Sequence, residues 1–248
     1  MDLALRDRFL ALWGKFFGEA ELPVVLYFTD EEGRAERVQP PSGHQCVIGV
    51  LARARKGLSL CFDRDSVGCL GGKRYLGFSR EIMPNFEYFL SCGIPGELEG
   101  ERYKKTPELV LQTMKNWPLF EAPARFIVFK RWDKLEESDG AEVVIFFAKP
   151  DVLSGLFTLA NFDEVEPNGV FAPFAAGCAT IVQYPYLEKG SERPRGVLGM
   201  FDVSARPFVP EQVLSFAAPI EKFARMVGNM EESFLLTSSW EKVKKRLE

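Results

Sequence analysis

Histidine is almost missing from this 248-residue chain, with His44 the sole example. Metal sites built on several histidines are thereby excluded, and a serine–histidine–acid triad would have just one base available. No G-x-S-x-G elbow presents a nucleophile. Neither G-x-x-x-x-G-K-[ST] nor a G-x-G-x-x-G after a strand occurs, so the common phosphate-cradling loops are absent. C-x-x-C pairs are lacking too, which removes zinc ribbons and the usual cluster motifs. His44, near an expected helix start, reads most simply as a surface or capping residue.

Long apolar runs are also missing. No stretch approaches 18 continuous apolar residues, so no membrane span is expected. The opening MDLALRDRFLALWGKFFG breaks its apolar character with Asp2, Arg6, Asp7 and Arg8, unlike a secretory leader. Five cysteines, an odd number, argue against a complete disulfide framework and for a reducing compartment, and the expected location is the cytoplasm. Net charge is −4 with a pI near 5.4, which leaves no electrostatic footprint for nucleic acid. The basic run Lys242 to Arg246 reads as the polar face of a terminal helix.

Phenylalanine, by contrast, is plentiful at 22 residues. It implies an aromatic core and admits a cavity lined by rings. Residues 3–17 carry apolar side chains at helical spacing. Val24 to Phe28, Ala124 to Lys130 and Ala141 to Ala148 suit central strands, and the continuous apolar runs Val24 to Phe28, Phe126 to Phe129 and Val143 to Phe147 suit neighbouring strands of one sheet buried on both faces. LSLCF (58–62), GCATIVQYP (177–185) and RGVLGMFD (195–202) are further strand candidates. Ser42 is expected to cap a helix that carries Cys46 and stops at Gly57, and Glu81 to Leu90 reads as a short helix. Thr106–Pro107 opens a helix to Asn116, and Pro150–Asp151 opens another. Pro210 to Met226 and Glu231 to Leu247 read as closing helices. Leu135 to Gly140 reads as a hairpin loop. These elements predict an α+β or mixed-sheet α/β fold, a buried sheet flanked by helices. The chain forms one domain, or two closely packed subdomains with a seam near 131–141, and no internal repeat is visible.

The segment GCLGGKRYLGF (68–78) has glycine at four of eleven positions. Gly71 and Gly72 permit close backbone approach, with positive φ expected at one of them, while Lys73 and Arg74 supply charge for an anion. The plainer alternative is a tight turn. Arg206, before Pro207, either points into a pocket or pairs with Asp202. Of the cysteines, Cys69 lies in the glycine-rich segment, Cys92 precedes a glycine and Cys178 follows one. Cys61, inside LSLCF, fits a small buried hydrophobe.

HQCVIGVLARARKG, then GCLGGKRYLGF, KPDVLSGLF and the lone cysteine of AAGCATIVQYP together resemble the uncharacterised "domain of unknown function 169" family, found mainly in archaea and anaerobic bacteria. The resemblance runs roughly from Leu22 to Trp240. It marks Cys46, Cys69 and Cys178 as pattern positions, with Cys92 a fourth candidate, and it transfers no activity. Its anaerobic distribution implies oxygen-sensitive chemistry, for which an iron–sulfur cluster or another thiolate-bound metal is the first expectation.

Three readings follow. The first is a metal or iron–sulfur site of Cys46, Cys69, Cys178 and Cys92, serving anaerobic redox or cofactor metabolism. The second is a metal-free module holding an anionic small molecule with Gly71, Gly72, Lys73, Arg74 and Arg206 in a phenylalanine-lined pocket. The third is an enzyme with a low-pKa cysteine nucleophile, Cys69 beside Lys73 and Arg74.

Overall fold

A computed structural model describes residues 1–33 and 35–247. Helix α1 (Leu3–Phe17) starts where the Asp2 carboxylate accepts the Ala4 and Leu5 N–H groups, and ends at Gly18 with φ of 60°. Its buried residues Phe9, Leu12, Trp13, Phe16 and Phe17 form one stripe. There follow β1 (Val24–Thr29), β2 (Glu36–Arg37), α2 (Val47–Arg55), β3 (Leu60–Phe62), α3 (Leu70–Tyr75), α4 (Phe86–Phe89), α5 (Pro107–Met114) and β4 (Phe126–Arg131). The second half contributes β5 (Val143–Ala148), α6 (Pro150–Ala160), β6 (Val170–Phe171), a π-helix (Ala179–Gln183) running into α7 (Tyr184–Leu187), and β7 (Gly196–Gly199). It closes with β8 (Leu214–Pro219), α8 (Ile220–Asn229) and α9 (Ser238–Lys244). No helix among the described residues is long and apolar enough to cross a membrane.

All eight strands join one sheet in the order β2-β3-β4-β1-β5-β8-β7-β6. The fold is α+β, with the expected β4, β1 and β5 side by side at its centre. Alternation along β5 sends Val144, Phe146 and Ala148 into one core and Val143, Ile145 and Phe147 into the other. Helices α1, α6 and α8 cover the first face, where Phe9 meets Trp132, Phe146 and Phe223 edge to face with ring centres 5.2, 6.2 and 5.0 Å away. Helix α2 and the π-helix cover the second.

The sheet repeats its own topology although the sequence shows no repeat. From the centre outwards the strands run β1, β4, β3, β2 on one side and β5, β8, β7, β6 on the other. In each half the outermost pair is parallel and the remaining pairs are antiparallel. At the centre Val24 faces Ile145, Val25 faces Val144 and Leu26 faces Val143. Exchanging the two strands restores the same pairing, so an approximate two-fold axis passes between Val25 and Val144.

Several expectations are corrected. The 177–185 segment is helical, because its β-branched residues fill a fully buried helical turn against the sheet. Gly199 on β7 permits that closeness: a Cβ there would run into Thr180 Oγ1. Residues 214–219, read as part of a closing helix, form β8, and only 220–229 continue as helix. The short helix expected at 81–90 is confined to Phe86–Phe89. Leu135 to Gly140 is no hairpin, since β1 lies between β4 and β5. The loop is anchored by buried Asp139, which accepts from Lys130 Nζ at 2.9 Å and from the Tyr27 hydroxyl at 2.5 Å.

Candidate functional site

The glycine-rich segment is not the loop its composition suggests. Residues 70–75 form α3, with Cys69 as N-cap, its sulfur accepting the Gly72 N–H at 3.2 Å. Neither Gly71 nor Gly72 has positive φ; that conformation falls to Gly77, with φ of 85°. Gly72 is needed for proximity instead, because a Cβ would meet Val67 Cγ1 at 2.8 Å, Cys69 Sγ at 2.9 Å and Val47 Cγ2 at 3.0 Å. Gly68 acts alike: a Cβ there would strike Pro41 Cγ at 2.6 Å and the Gln45 backbone nitrogen at 2.9 Å. These two approaches press the start of α2 against the start of α3.

Cys46 is therefore the N-cap of α2 and not a residue on its face, and the helix begins at Val47, four residues later than a Ser42 cap implies. Cys178 stands in the corresponding place across the two-fold axis, immediately before the π-helix. Both helices lie between the parallel outer strands of their halves and both end in Lys-Gly, at Lys56–Gly57 and Lys189–Gly190, each glycine having positive φ. Eleven residues separate Cys46 from Gly57 and twelve separate Cys178 from Gly190. The π-helix absorbs the additional residue.

Cys46, Cys69 and Cys178, all half-buried, line one cavity of about 720 Å³. Its walls carry the rings of Tyr75, Phe86, Phe89, Trp117, Phe174 and Tyr184. Burial pushes the Cys69 thiol up, against the pull of the Gly72 and Val47 N–H groups and Lys73. Cys178, deep in the protein although open to the cavity, is raised further by burial and by the like charges Cys69 and Cys46 would bear when ionised. The direction is opposite to that of the low-pKa nucleophile expected at Cys69. Asp202 fixes the Cys178 turn by accepting the Gly177 N–H at 3.1 Å.

The remaining expected residues separate. Cys92 is exposed on the loop after α4, its thiol turned to the Gly93 carbonyl at 3.4 Å and away from the cavity lining. Cys61 is fully buried on the opposite side of the sheet with Phe126 and Val128, and burial pushes it up to about 11. Arg206 neither enters the cavity nor pairs its side chain with Asp202; its guanidinium donates to the Val213, Glu211 and Pro210 carbonyls. Arg74 lines the cavity, yet it donates to the Arg80 carbonyl at 2.8 Å and lies over Trp117, 5.9 Å from the ring centre. Lys73 is outside the lining. Gly71 and Gly72 line the cavity as well, with the Gly72 N–H taken by sulfur and Glu81, Glu101 and Asp202 on the same walls. His44 is exposed at the cavity's edge.

Sequence reasoning passed over Tyr75, Tyr184 and Trp117, and took Asp202 as a partner of Arg206 alone. Tyr75 is inside the quoted glycine-rich segment and Tyr184 is six residues beyond Cys178, so a search for side chains beside the cysteines would have reached both.

Fold and site thus define an α+β protein with a duplicated sheet topology and a thiol-bearing aromatic cavity. A model of the DUF169 family, described as "Uncharacterised ArCR", matches residues 18–229, and the chain belongs to that family. The match spans all eight strands and leaves out both α1 and α9. No curated protein and no solved structure matches the chain.

Proposed function

We propose that the cavity is a cofactor site in which Cys46, Cys69 and Cys178 ligate an iron–sulfur cluster, in a protein of redox or cofactor metabolism. One observation carries this reading: three thiols from three separate segments, the outer two 132 residues apart, line the same cavity. All three are half-buried on its wall, and of the three sulfurs Cys69 Sγ is engaged by the Gly72 N–H. Among the described residues no three histidine, cysteine or carboxylate groups are close enough to hold a single ion. Tetrahedral zinc, with bonds of about 2.3 Å, draws its sulfurs to about 3.8 Å. A cluster spreads its thiolates more widely, which favours it over a mononuclear ion. Positive charge at the site would also offset the mutual repulsion that disfavours ionised Cys178.

Anaerobic reconstitution with iron and sulfide tests the reading. Wild type should take up both and absorb near about 400 nm through sulfur-to-iron charge transfer. Cys46→Ser, Cys69→Ser and Cys178→Ser should each lose most of that absorption, while Cys92→Ser keeps it. A folded wild type that takes up no iron, or a triple variant that keeps its colour, would sink the reading.

A further inference from the structure

Tyr75 and Tyr184 both line the cavity. Tyr75 is within electrostatic reach of both Tyr184 and Cys178. Neither hydroxyl has a hydrogen-bond partner among the described residues, while the polar groups around them are engaged. Thr180 Oγ1 donates to the Gly177 carbonyl at 2.8 Å, Gln183 Nε2 donates to the Pro118 carbonyl at 2.9 Å, and the Tyr103 oxygen accepts the Ser204 N–H at 3.0 Å. Among the described residues, the fully enclosed side-chain atoms without a partner are Ser215 Oγ and Asn229 Nδ2. Both phenol oxygens therefore reach open space, and that space is the cavity.

Two unengaged donors on the wall of one cavity, within electrostatic reach of each other, match the two lone pairs of one carbonyl oxygen. Burial raises both phenols above their ordinary value, so they keep their protons and donate. The aromatic walls suit a flat apolar body, and about 720 Å³ is ordinary for a small-molecule site. Charge sets the last condition. Glu81, Glu101 and Asp202 line the space against Arg74, whose guanidinium is committed to the Arg80 carbonyl and Trp117, so a carboxylate or phosphate is repelled. We propose that the cavity takes an uncharged, planar carbonyl compound, such as an aromatic ketone or a quinone, with one oxygen held between the Tyr75 and Tyr184 hydroxyls. This ligand is defined by the cavity walls and not by the cluster.

The test uses metal-free protein, so its outcome is separate from iron uptake. The probes are 2-acetylnaphthalene, its isosteric hydrocarbon 2-isopropylnaphthalene, and 2-naphthoate. Calorimetry gives the affinities, and tryptophan fluorescence locates the probe, because Trp13, Trp132 and Trp240 are enclosed in the opposite core while Trp117 lines the cavity. The ketone should bind about tenfold more tightly than either of the others and quench Trp117. Tyr75→Phe/Tyr184→Phe removes two oxygens that have no protein partner, so it should fold as wild type does. It should lose about tenfold in ketone affinity while leaving the hydrocarbon unchanged. Equal affinity for all three probes, tighter binding of the acid, no binding at all, or unchanged ketone affinity in the folded double variant would each overturn the proposal.

Discussion

Gly71 and Gly72 are adjacent in one helix, and replacing each with alanine should move stability in opposite directions. Both have ordinary helical backbone, so alanine gains up to about 1 kcal/mol of helix propensity at either position. At Gly71 the nearest atom to a new Cβ outside its immediate neighbours is Tyr75 Cε2 at 3.7 Å, an ordinary contact. At Gly72 the new Cβ meets Val67, Cys69 and Val47 atoms at 2.8 to 3.0 Å. Val67 and Val47 are buried on β3's flank and α2, so they cannot withdraw, and overpacking of this kind costs about 1–3 kcal/mol. Gly71→Ala should therefore raise the melting temperature by a few degrees. Gly72→Ala, at a net cost of up to about 2 kcal/mol after the propensity gain, should lower it by up to about 8 °C, at about 2–4 °C per kcal/mol for a chain of this size. The Cys69 sulfur borders the cavity and is the neighbour that can yield, so Gly72→Ala should also change the rate of Cys69 alkylation by iodoacetamide, which Gly71→Ala leaves alone. Differential scanning calorimetry and mass spectrometry of the alkylated peptides read both effects. Equal melting shifts of one sign in the two variants would refute the packing argument.

Glu164→Gln should cost about 3 kcal/mol in denaturant melts, because Lys222, fully buried, loses its closest anion and is left, among the described residues, with Asp163 at 3.9 Å. The Lys222 hydrogen bond holds the Glu164 carboxyl below its ordinary value, so its contribution is complete above the usual carboxylate range and is lost as pH falls through the depressed folded value. Acid titration of stability below about pH 4 should accordingly be shallower in the variant than in wild type, and parallel curves would refute the linkage. Gly199→Ala should lower stability by about 1–3 kcal/mol, since its Cβ is driven into Thr180 and, at 2.8 Å, toward Ser215 Oγ. Thermal denaturation checks it, and an unchanged midpoint would show that the π-helix can lift from the sheet.

The centre of the fold was legible because Val24–Phe28 of β1, Phe126–Phe129 of β4 and all of β5 are continuous apolar runs, as strands covered on both faces tend to be. Caps were legible where one side chain satisfies the helix end, as Thr106 does by accepting the Leu109 N–H at 3.3 Å. What misled was decided by neighbours distant in sequence. Ala179 to Gln183 has strand-like composition, yet its place against Gly199 makes it helical. Gly71 and Gly72 suggested a turn, whereas contact with Val47 and Val67 selects a helix with a glycine at its tightest point. Arg206 seemed free to reach a ligand until the 209–213 loop presented carbonyls to it. In the site, glycine beside cysteine was a useful guide for Cys69 and Cys178, where the backbone packs closely, and a poor one for Cys92, whose Gly93 serves a positive-φ turn at 74°.

Val25 opposite Val144 makes the middle of the sheet self-complementary. The outermost strands, β2 and β6, have two residues each and offer little to a visiting chain. The interior is the reverse: a half-molecule ending before β5 would bare Val24, Val25 and Leu26, all buried in the intact protein, along an unpaired edge. Since the central register is unchanged by exchange of its strands, two such halves could zip together in the same alignment that now joins β1 to β5. The wall that carries Cys46 would then meet its own copy where Cys178 now stands. Shape and thiol pair alike follow from one strand edge that recognises itself.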